Sequence, residues 1–366
     1  MKTADFDYQL PTELIAQQPV TPRDSSRLLV VHRQQGTLLH RRFHNLPEFL
    51  RPGDLLVHNQ TRVIRARLFA RKPTGGQVEI LLLRQRGAGP GPGQTAAETR
   101  TWEALVGGKG VRPGLTLTLL DGPDGAPLEA QAEVVERGER AMRVLRFDRP
   151  ALQLAQQIGV TPLPPYIHET LADDQRYQTV YAAKPGSAAA PTAGLHFTPE
   201  LLHTLREMGV RSEFVTLHIG LDTFQPVLEE RIESHQMHHE YCSLRPEVAR
   251  RVNQTKLEGH RVVTVGTTSV RVLETAALQA LGGDTCSEPC PWQTVAAFEG
   301  ETDLFIYPGY RFRAVDALIT NFHLPRSTLL MLVAAFAGKE LIDRAYAEAI
   351  GRRYRFYSFG DAMLIL

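Results

Sequence analysis

The chain has 366 residues, of which 43% are hydrophobic and 22% charged, and its formal net charge is +1. This length allows two or three domains, and the composition is that of an ordinary water-soluble protein without the global basicity of many nucleic-acid binders. Three cysteines are too few for a disulfide framework, which predicts a cytoplasmic location. Residues 1–11 lack the apolar core of a signal peptide, and no uncharged apolar stretch reaches the ~18 residues of a membrane span.

The first part of the chain predicts short strands that end in polar residues. A short helix is expected at 13–17, and strands at 28–32 and 38–42. A buried strand at 55–58 then leads into Asn59, Thr61 and Arg62. Such a strand end is either a binding edge or a turn closed by an Asx hydrogen bond, and both interpretations stay open.

Residues 62–150 have a different pattern, in which short strands follow one another without a helix. Glycine- and proline-containing turns separate six candidate strands, at 63–69, 78–84, 102–106, 115–120, 129–136 and 141–147. This spacing predicts a small antiparallel barrel. The glycine-rich stretch 87–93 predicts the tip of a hairpin loop.

Basic residues concentrate at the beginning of this second segment. Residues 62–150 carry a net charge of +5, which leaves −4 for the remainder of the chain. On a continuous strand, Arg65, Arg67 and Arg71 would share one face. A charged edge strand that resists aggregation is the structural alternative. The local charge favours a contact with a nucleic-acid backbone.

From residue 151 onwards, helical and strand patterns alternate. Helices are predicted at 151–158, from 173 or 174, from Thr198 to Gly209, after 270, within 324–338 and at 341–350. Strands are predicted at 210–217, 261–265 and 317–320. Thr198 is a good N-cap, Pro199 suits the first helical turn, and Gly209 suits the end of the helix.

Histidines occupy several of the polar loops in this α/β region. His196 precedes one helix, His218 and Asp222 follow the next strand, and His323 follows a later strand. Chemistry collects in the loops at strand ends of α/β proteins. One such loop would be explained by a hydrogen-bonded structural histidine, but two within thirty residues favour a catalytic site.

A possible anion-binding turn lies where a strand meets a helix. Gly266, Thr267, Thr268 and Ser269 combine backbone amides, hydroxyls and the positive end of a helix dipole. An ordinary helix cap would have the same composition, so both interpretations stay open.

A histidine-rich segment resembles a metal site at first. His235, His239 and Cys242 have suggestive spacing, but in a strand the two histidines would stand ~13 Å apart, so no metal is predicted. His238 and Glu240 would instead face the same way and suit proton transfer or contact with a ribose hydroxyl.

Nine segments together resemble the S-adenosylmethionine:tRNA ribosyltransferase-isomerases of queuosine biosynthesis. They are FDYQLP at 6–11, RDSSRL at 23–28, HNQTRVI at 58–64, PLPPYI at 162–167, DQRYQTVY at 174–181, APTAGLHF at 190–197, HIGLDTF at 218–224, GTTSVR at 266–271 and NFHLPRS at 321–327. The resemblance runs nearly from end to end.

The resemblance implies a discontinuous α/β barrel-like catalytic domain, 1–61 and 151–366, interrupted by a six-stranded antiparallel β-barrel domain, 62–150. It also implies the reaction. The ribosyl group of S-adenosylmethionine moves to 7-aminomethyl-7-deazaguanine at the wobble position of a tRNA with a GUN anticodon, and adenine and methionine leave as epoxyqueuosine forms. S-adenosylmethionine is then a co-substrate, and we expect a monomer without a metal or another cofactor.

The candidate site residues divide into three groups. For proton transfer and its orientation we expect His196, His218, Asp222, His238, Glu240 and His323. For substrate binding we expect Asn59, Thr61, Arg62, Phe197, Thr223, Gly266, Thr267, Thr268, Ser269, Arg271, Asn321, Phe322 and Ser327, with Phe197 and Phe322 as stacking surfaces for a base. For tRNA contact we expect Arg65, Arg67 and Arg71.

Two functions of other classes are the alternatives. One is a noncatalytic tRNA-binding module with structural histidines. The other is a sugar-phosphate isomerase that holds its phosphate at residues 266–269. Adenine release from S-adenosylmethionine, dependent on the modified tRNA, distinguishes all three.

Overall fold

The computed structural model describes residues 1–86, 99–169, 171, 173–220, 226–282, 290 and 292–366. The chain divides into two compact units. Unit 1 consists of Met1–Thr61, Pro164–Lys184 and Ala190–Leu366, and unit 2 of Arg62–Leu163 and Pro185–Ala189. Unit 2 therefore extends beyond residue 150, where the sequence-based boundary was placed. The predicted glycine-rich loop at 87–93 lies outside the described residues.

The strands and α-helices of the described residues follow in chain order. The strands are β1 (Arg27–His32), β2 (Thr37–Arg42), β3 (Leu55–Asn59), β4 (Thr61–Val63), β5 (Arg67–Arg71), β6 (Gln77–Gln85), β7 (Thr101–Val106), β8 (Thr116–Leu120), β9 (Pro127–Arg137), β10 (Met142–Phe147), β11 (Lys184–Ser187), β12 (Arg211–Leu217), β13 (Glu240–Leu244), β14 (Val262–Val265), β15 (Phe298–Thr302), β16 (Ala317–Asn321) and β17 (Ala362–Ile365). The helices are α1 (Ala151–Ile158), α2 (Pro199–Glu207), α3 (Pro246–Leu257), α4 (Thr267–Ala280), α5 (Thr328–Ala337) and α6 (Lys339–Gly351).

Unit 1 is built on a nine-stranded mixed sheet in the order β15-β13-β12-β3-β14-β16-β17-β1-β2. Its centre is a block of four parallel strands, β12, β3, β14 and β16. All residues of β3, β14 and β16 are buried, as expected for parallel strands covered on both faces. The carboxyl ends of these four strands therefore lie at one edge of the sheet.

Local sequence signals set the ends of the helices beside this edge. The Thr198 hydroxyl accepts a hydrogen bond of 3.1 Å from the amide of Leu201, and Pro199 occupies the first turn of α2. Ser327 caps α5 in the same way, accepting from the amide of Leu330 at 3.2 Å. The predicted strands at 210–217, 261–265 and 317–320 correspond to β12, β14 and β16.

Unit 2 is a closed barrel in the order β10-β7-β6-β5-β8-β9, with every pair of neighbours antiparallel. Leu68 and Ala70 of β5 are buried, whereas Arg67 and Arg71 alternate with them and are half-buried. This barrel and the mixed α/β unit confirm the predicted fold class.

Three local predictions were wrong. The short helix expected at 13–17 is a three-residue 3-10 turn, Thr12–Leu14. The expected strand at 63–69 is interrupted, because β4 ends at Val63 and β5 begins at Arg67. The expected helix from 173 or 174 is a single 3-10 turn, Asp174–Tyr177, capped by the Asp173 side chain, which accepts from the amide of Gln175 at 2.9 Å. A capping residue predicts where a helical turn begins, but the length of the turn depends on packing.

Candidate active site

Polar side chains follow each of the four central parallel strands. Asn59 ends β3, His218 follows β12, Gly266 follows β14, and Asn321 ends β16. Neighbouring strands lie about 4.8 Å apart, so the edge from β12 to β16 spans about 14 Å. This edge is where open parallel sheets bind their ligands.

Asn59 joins three elements at this edge and is completely buried. Its Nδ2 donates to the carbonyl oxygen of Leu217 at 3.0 Å and to the hydroxyl of Thr268 at 3.2 Å. Its Oδ1 accepts from the amides of Thr61 and Leu217, both at 3.1 Å. These four bonds use the whole amide, so Asn59 positions its neighbours rather than a ligand.

Only one ring nitrogen of His218 is engaged by the residues that the structure describes. Its Nδ1 lies 2.7 Å from the hydroxyl oxygen of Thr61, and its ring stacks on Tyr241 with centroids 5.4 Å apart. Among the described residues, Nε2 has no hydrogen-bond partner. Burial lowers the pKa of His218 to about 4, so the ring is neutral at physiological pH. A neutral, oriented imidazole with an open nitrogen can accept a proton.

The turn from β14 into α4 presents backbone amides rather than hydroxyls. Gly266 has φ 88°, which favours glycine, and its own amide donates to the carbonyl of Ile319 at 2.8 Å. Ser269 donates its hydroxyl to the carbonyl of Val265 at 2.9 Å. The hydroxyl of Thr268 accepts from Asn59 as described above. Thr267 is also buried, so any anion here would meet the amides of the first turn and the helix dipole.

His196 is held at both ring nitrogens. Asn321 donates its Nδ2 to His196 Nε2 at 3.2 Å and to the carbonyl of Tyr357 at 3.1 Å. Nε2 is therefore the acceptor, and Nδ1 carries the proton and donates to the hydroxyl of Ser26 at 2.8 Å. Burial, with the charges of Arg23 and Arg355, lowers the pKa of His196 to about 3.

This arrangement differs from the expectation of a histidine in a polar loop before α2. The residue is buried at the end of the 3-10 helix Thr192–His196, so it positions Asn321 and its removal should cost stability. The carbonyl oxygen Oδ1 of Asn321 is buried and has no hydrogen-bond partner within the described part of the chain. A buried unpaired acceptor is costly, and a ligand that donates an N–H would satisfy it.

His323 is also buried, and its main chain is fixed on both sides. Its Nε2 lies 2.7 Å from the hydroxyl of Thr320. Its amide donates to the hydroxyl of Tyr346 at 2.9 Å, and the hydroxyl of Tyr8 donates to its carbonyl oxygen. Burial lowers its pKa to about 3.

Phe197 and Phe322 do not offer stacking surfaces, contrary to expectation. Both side chains are fully buried. Phe197 packs edge-on against Phe43 and His58 at centroid distances of 5.0 and 5.2 Å, and Phe322 packs against Phe356 at 4.8 Å. Their rings belong to the aromatic core beneath the site.

Glu240 and Arg271 form a buried ion pair, with side chains 8% and 6% exposed. Arg271 also donates to the carbonyl of Leu304 at 3.1 Å, and Glu240 accepts from the amide of Gly220 at 3.1 Å. The pair thus anchors the backbone just after His218. The predicted shared face of His238 and Glu240 was wrong, because β13 begins at Glu240 and His238 is exposed before it.

The remaining predicted residues lie elsewhere or are not described. Asp222 and Thr223 lie outside the described residues. Ser327 is buried as the cap of α5 and donates to the carbonyl of Leu324 at 2.7 Å. Arg62 is half-buried and belongs to unit 2. In the described ranges no group of His, Cys, Asp and Glu residues is arranged to hold a metal ion.

The barrel arginines do not share one strand face. Arg65 is exposed between β4 and β5, whereas Arg67 and Arg71 lie on β5. Arg67 pairs with Glu79 at 3.1 Å. Because β5 is paired to β6 and β8, it is not an edge strand, and the alternative explanation of a charge-protected edge was wrong.

His58 is a buried polar residue that the sequence analysis did not select. Both ring nitrogens lack a hydrogen-bond partner among the residues described. The ring packs between Tyr181, Phe197 and Phe214 at centroid distances of 4.7, 5.2 and 5.5 Å, and burial lowers its pKa to about 3. The sequence signal that could have singled out His58 is the occurrence of a histidine within the apolar strand 55–58. Ser26, which binds His196, stood in a quoted motif without an assigned role.

No helix within the described residues is long and apolar enough to cross a membrane.

Comparisons with known proteins agree with these features over the whole chain. A model of the family described as "Queuosine biosynthesis protein" matches residues 3–365. The S-adenosylmethionine:tRNA ribosyltransferase-isomerase of Thermus thermophilus is 54% identical over 364 residues, covering 99% of this chain and 98% of that protein. The protein of the same name from Symbiobacterium thermophilum is 52% identical over 370 residues, with both chains fully covered.

A solved structure gives the same result for the fold. The crystal structure of S-adenosylmethionine tRNA ribosyltransferase from Thermotoga maritima is 41% identical, with a TM-score of 0.54, and covers 99% of this chain and 100% of that one. The resemblance found in the nine sequence segments is confirmed. The chain belongs to the queuosine biosynthesis protein family.

Proposed function

We propose that this enzyme transfers the ribosyl group of S-adenosylmethionine to 7-aminomethyl-7-deazaguanine at the wobble position of a tRNA with a GUN anticodon. The transferred group isomerises to the epoxide of epoxyqueuosine, and adenine and methionine leave. Family membership and the names of the relatives support this assignment. S-adenosylmethionine is a co-substrate in this scheme, with no further cofactor, and the enzyme works as a cytoplasmic monomer.

The observation that carries the proposal is the buried, neutral imidazole of His218 at the end of β12, whose Nδ1 is fixed by Thr61 and whose Nε2 has no partner among the described residues. The sulfonium of S-adenosylmethionine acidifies the adjacent 5′ carbon, and a neutral imidazole can take that proton. The electron pair of the resulting ylide forms a C4′–C5′ double bond as the ring oxygen leaves C4′; that oxygen becomes the C1′ carbonyl, and adenine leaves C1′ and takes up a proton. The aminomethyl nitrogen then adds to C4′ and loses a proton, and the carbanion regenerated at C5′ closes onto C1′. The alkoxide formed at C1′ displaces methionine from C5′ as the epoxide closes. Thr61 orients the ring through its bond of 2.7 Å to Nδ1.

Two other groups at this edge suit the remaining parts of the reactants. Asn321 Oδ1 is an unpaired buried acceptor, which fits an amino group of adenine or of the modified base. The amides that begin α4 suit the methionyl carboxylate or a tRNA phosphate. The edge of about 14 Å is long enough for a nucleoside with an attached amino acid.

The decisive experiment measures adenine release by chromatography with purified enzyme, S-adenosylmethionine and tRNA carrying 7-aminomethyl-7-deazaguanine. We expect adenine and methionine in equal amounts and a modified nucleoside with the mass of epoxyqueuosine. The same tRNA with guanine at the wobble position is the control and should release no adenine. Equal release with both tRNAs, or none with either, would refute the proposal.

Calorimetry tests which reactant binds the backbone amides at the beginning of α4. Replacing Thr268 with Val removes the acceptor of Asn59 Nδ2, and comparison with Thr268→Ser, which keeps the hydroxyl, isolates that bond. A selective loss of S-adenosylmethionine affinity places the carboxylate here, and a selective loss of tRNA affinity places a phosphate here. Arg65, Arg67 and Arg71 remain proposed RNA contacts of the barrel. Light scattering of the purified chain tests the monomer.

A further inference from the structure

Five arginines of unit 1 either belong to the segment 18–27 or bond to its main chain. They come from four separate parts of the chain and are half-buried, except for one exposed member; they are Arg23, Arg27, Arg42, Arg176 and Arg355. We call this set the arginine cluster.

Main-chain carbonyl groups hold three members of the arginine cluster in place. Arg23 donates to the carbonyls of Gln178 and Gln175 at 2.6 and 2.8 Å. Arg176 donates to the carbonyl of Val20 at 2.9 Å, and Arg355 donates to the carbonyl of Gln18. These contacts order the side chains without neutralising their charge.

The other two members are held in a similar way. Arg42 donates to the carbonyl of Ser25 at 2.6 Å. Arg27 donates to the carbonyl of Arg352 at 2.8 Å, and its guanidinium lies 3.7 Å from the centroid of the Tyr354 ring. Each guanidinium has five N–H donors, so donors remain for a ligand on every member.

The arginine cluster forms no salt bridge within the described part of the chain. No carboxylate of the described residues lies within 4.0 Å of any of its five guanidinium groups. In the barrel, by contrast, Arg67, Arg84 and Arg146 pair with carboxylates at 3.1, 2.6 and 2.6 Å. Unit 1 therefore also offers positive charge without a salt bridge, although the sequence concentrates basic residues in the barrel segment.

At least four acids lie near the arginine cluster, and one of them, Glu169, accepts from the side-chain amide of Gln18 at 2.6 Å. Asp361 is buried and accepts from the main-chain amides of Arg27 and Arg355, both at 2.8 Å. Asp24 accepts from the hydroxyl of Thr198 at 3.3 Å, and Asp173 caps the turn that contains Arg176. Asp361 also acts electrostatically on Arg27 and Arg355, and Asp173 on Arg23, so these carboxylates offset part of the positive charge without forming salt bridges.

The arginine cluster adjoins the candidate active site. Ser26, within the segment that the cluster surrounds, binds His196, which in turn accepts from Asn321. The charges of Arg23 and Arg355 also contribute, after burial, to the lowered pKa of His196. A ligand bound across the arginine cluster would thus reach the end of β16.

We propose that the arginine cluster binds the phosphate backbone of the tRNA next to the nucleotide that is modified. This inference rests on the proposed function, which makes tRNA a substrate. Several ordered, unpaired guanidinium groups fit an extended chain of phosphates, because each can form a forked pair and little side-chain freedom is lost on binding. A single small anion would need only one or two of them.

The test is the salt dependence of tRNA binding by a variant with Arg23→Gln, Arg27→Gln and Arg42→Gln. Each lost phosphate contact lowers the slope of log K against log salt by about 0.7–0.9, so we expect a decrease of about two to three between ~50 and ~300 mM salt. The dissociation constant for S-adenosylmethionine should not change. A parental slope in the folded variant would overturn the inference.

A matched control separates this effect from a change in overall charge. Arg211 and Arg251 also belong to unit 1 but pair with Glu258 and Glu213 at 3.2 and 2.8 Å. The variant Arg211→Gln with Arg251→Gln should keep the parental slope. A decrease per substitution equal to that of the cluster variant would contradict a specific site.

A second variant covers the case in which the triple replacement does not fold. Gln175→Glu keeps every arginine and adds a negative charge to an exposed residue whose carbonyl holds Arg23. It should weaken tRNA binding several-fold at low salt and less at high salt, since screening removes the repulsion. Unchanged binding would overturn the inference. Failure of the proposed function itself would be seen separately, as an absence of adenine release by the parent enzyme.

Discussion

The three buried histidines of unit 1 predict a specific loss of stability in acid. Burial lowers the pKa of His58, His196 and His323 from 6.5 to about 3. When the chain unfolds below pH ~6.5, each takes up a proton that it does not carry in the fold, so the unfolded state binds more protons there. The contribution of these histidines to the free energy of unfolding is therefore fully present above the unfolded pKa and is lost as pH falls towards the folded pKa.

The size of the loss follows from the shift. At pH ~5 the medium is about 1.5 pH units below the pKa of an unfolded histidine, and protonation stabilises the unfolded state by about 1.36 kcal/mol per unit. Going from pH ~7 to pH ~5 therefore costs about 2 kcal/mol of unfolding free energy for each residue. His58 isolates the effect, because neither ring nitrogen has a partner among the described residues. Replacing it with Leu should shrink the difference in unfolding free energy between the two pH values by about 2 kcal/mol.

Urea unfolding followed by circular dichroism at the two pH values measures this difference. Any change in packing caused by His58→Leu contributes at both pH values and cancels. His203→Leu, at an exposed position on α2, is the matched control and should leave the difference unchanged. Unit 2 contains no histidine, so fluorescence of its buried Trp102, measured with Trp292 of unit 1 replaced by Phe, reports a part of the chain without this effect. A difference for His58→Leu within about 0.5 kcal/mol of the parent would refute the reasoning.

Three further predictions concern residues around the site. His218→Gln should reduce kcat by about a hundredfold and Thr61→Val by less, whereas Thr61→Ser should retain activity. Because the pKa of His218 is about 4, a plot of kcat/KM against pH should show no acid limb near 6.5. A parental kcat in His218→Gln would contradict the role of His218. Glu240→Gln should cost about 3–5 kcal/mol of unfolding free energy by leaving Arg271 buried and unpaired, and adding Arg271→Met should recover part of it in urea titrations. Ser327→Ala should cost about 1 kcal/mol through the lost cap of α5, while Ser327→Thr keeps a hydroxyl acceptor, so equal stability of both variants would count against a capping role.

Much of the fold follows from short-range patterns in the sequence. Thr198 and Pro199 predict the start of α2, and the apolar run before Asn59 predicts β3, because helix caps and buried strands depend on neighbouring residues. The six-stranded barrel was predicted in the same way from turn spacing. The positions of His218 and Asn321 at strand ends were predictable for the same reason.

The state of each side chain was decided by tertiary structure. His196 and His218 look alike in sequence, yet Ser26 and Asn321 occupy both nitrogens of one, while Thr61 occupies a single nitrogen of the other. These partners come from distant parts of the chain, so no local spacing reveals them.

The same holds for charge. The sequence shows where arginines are frequent, but only folding decides which of them meet a carboxylate. Arg67 meets Glu79 across two barrel strands, whereas Arg23 meets main-chain carbonyls and keeps its charge available. Composition and periodicity therefore determined the architecture and the sheet edge at which the candidate site lies. Long-range pairing, which depends on how distant segments pack, decided which residues at that edge are left to act on a substrate.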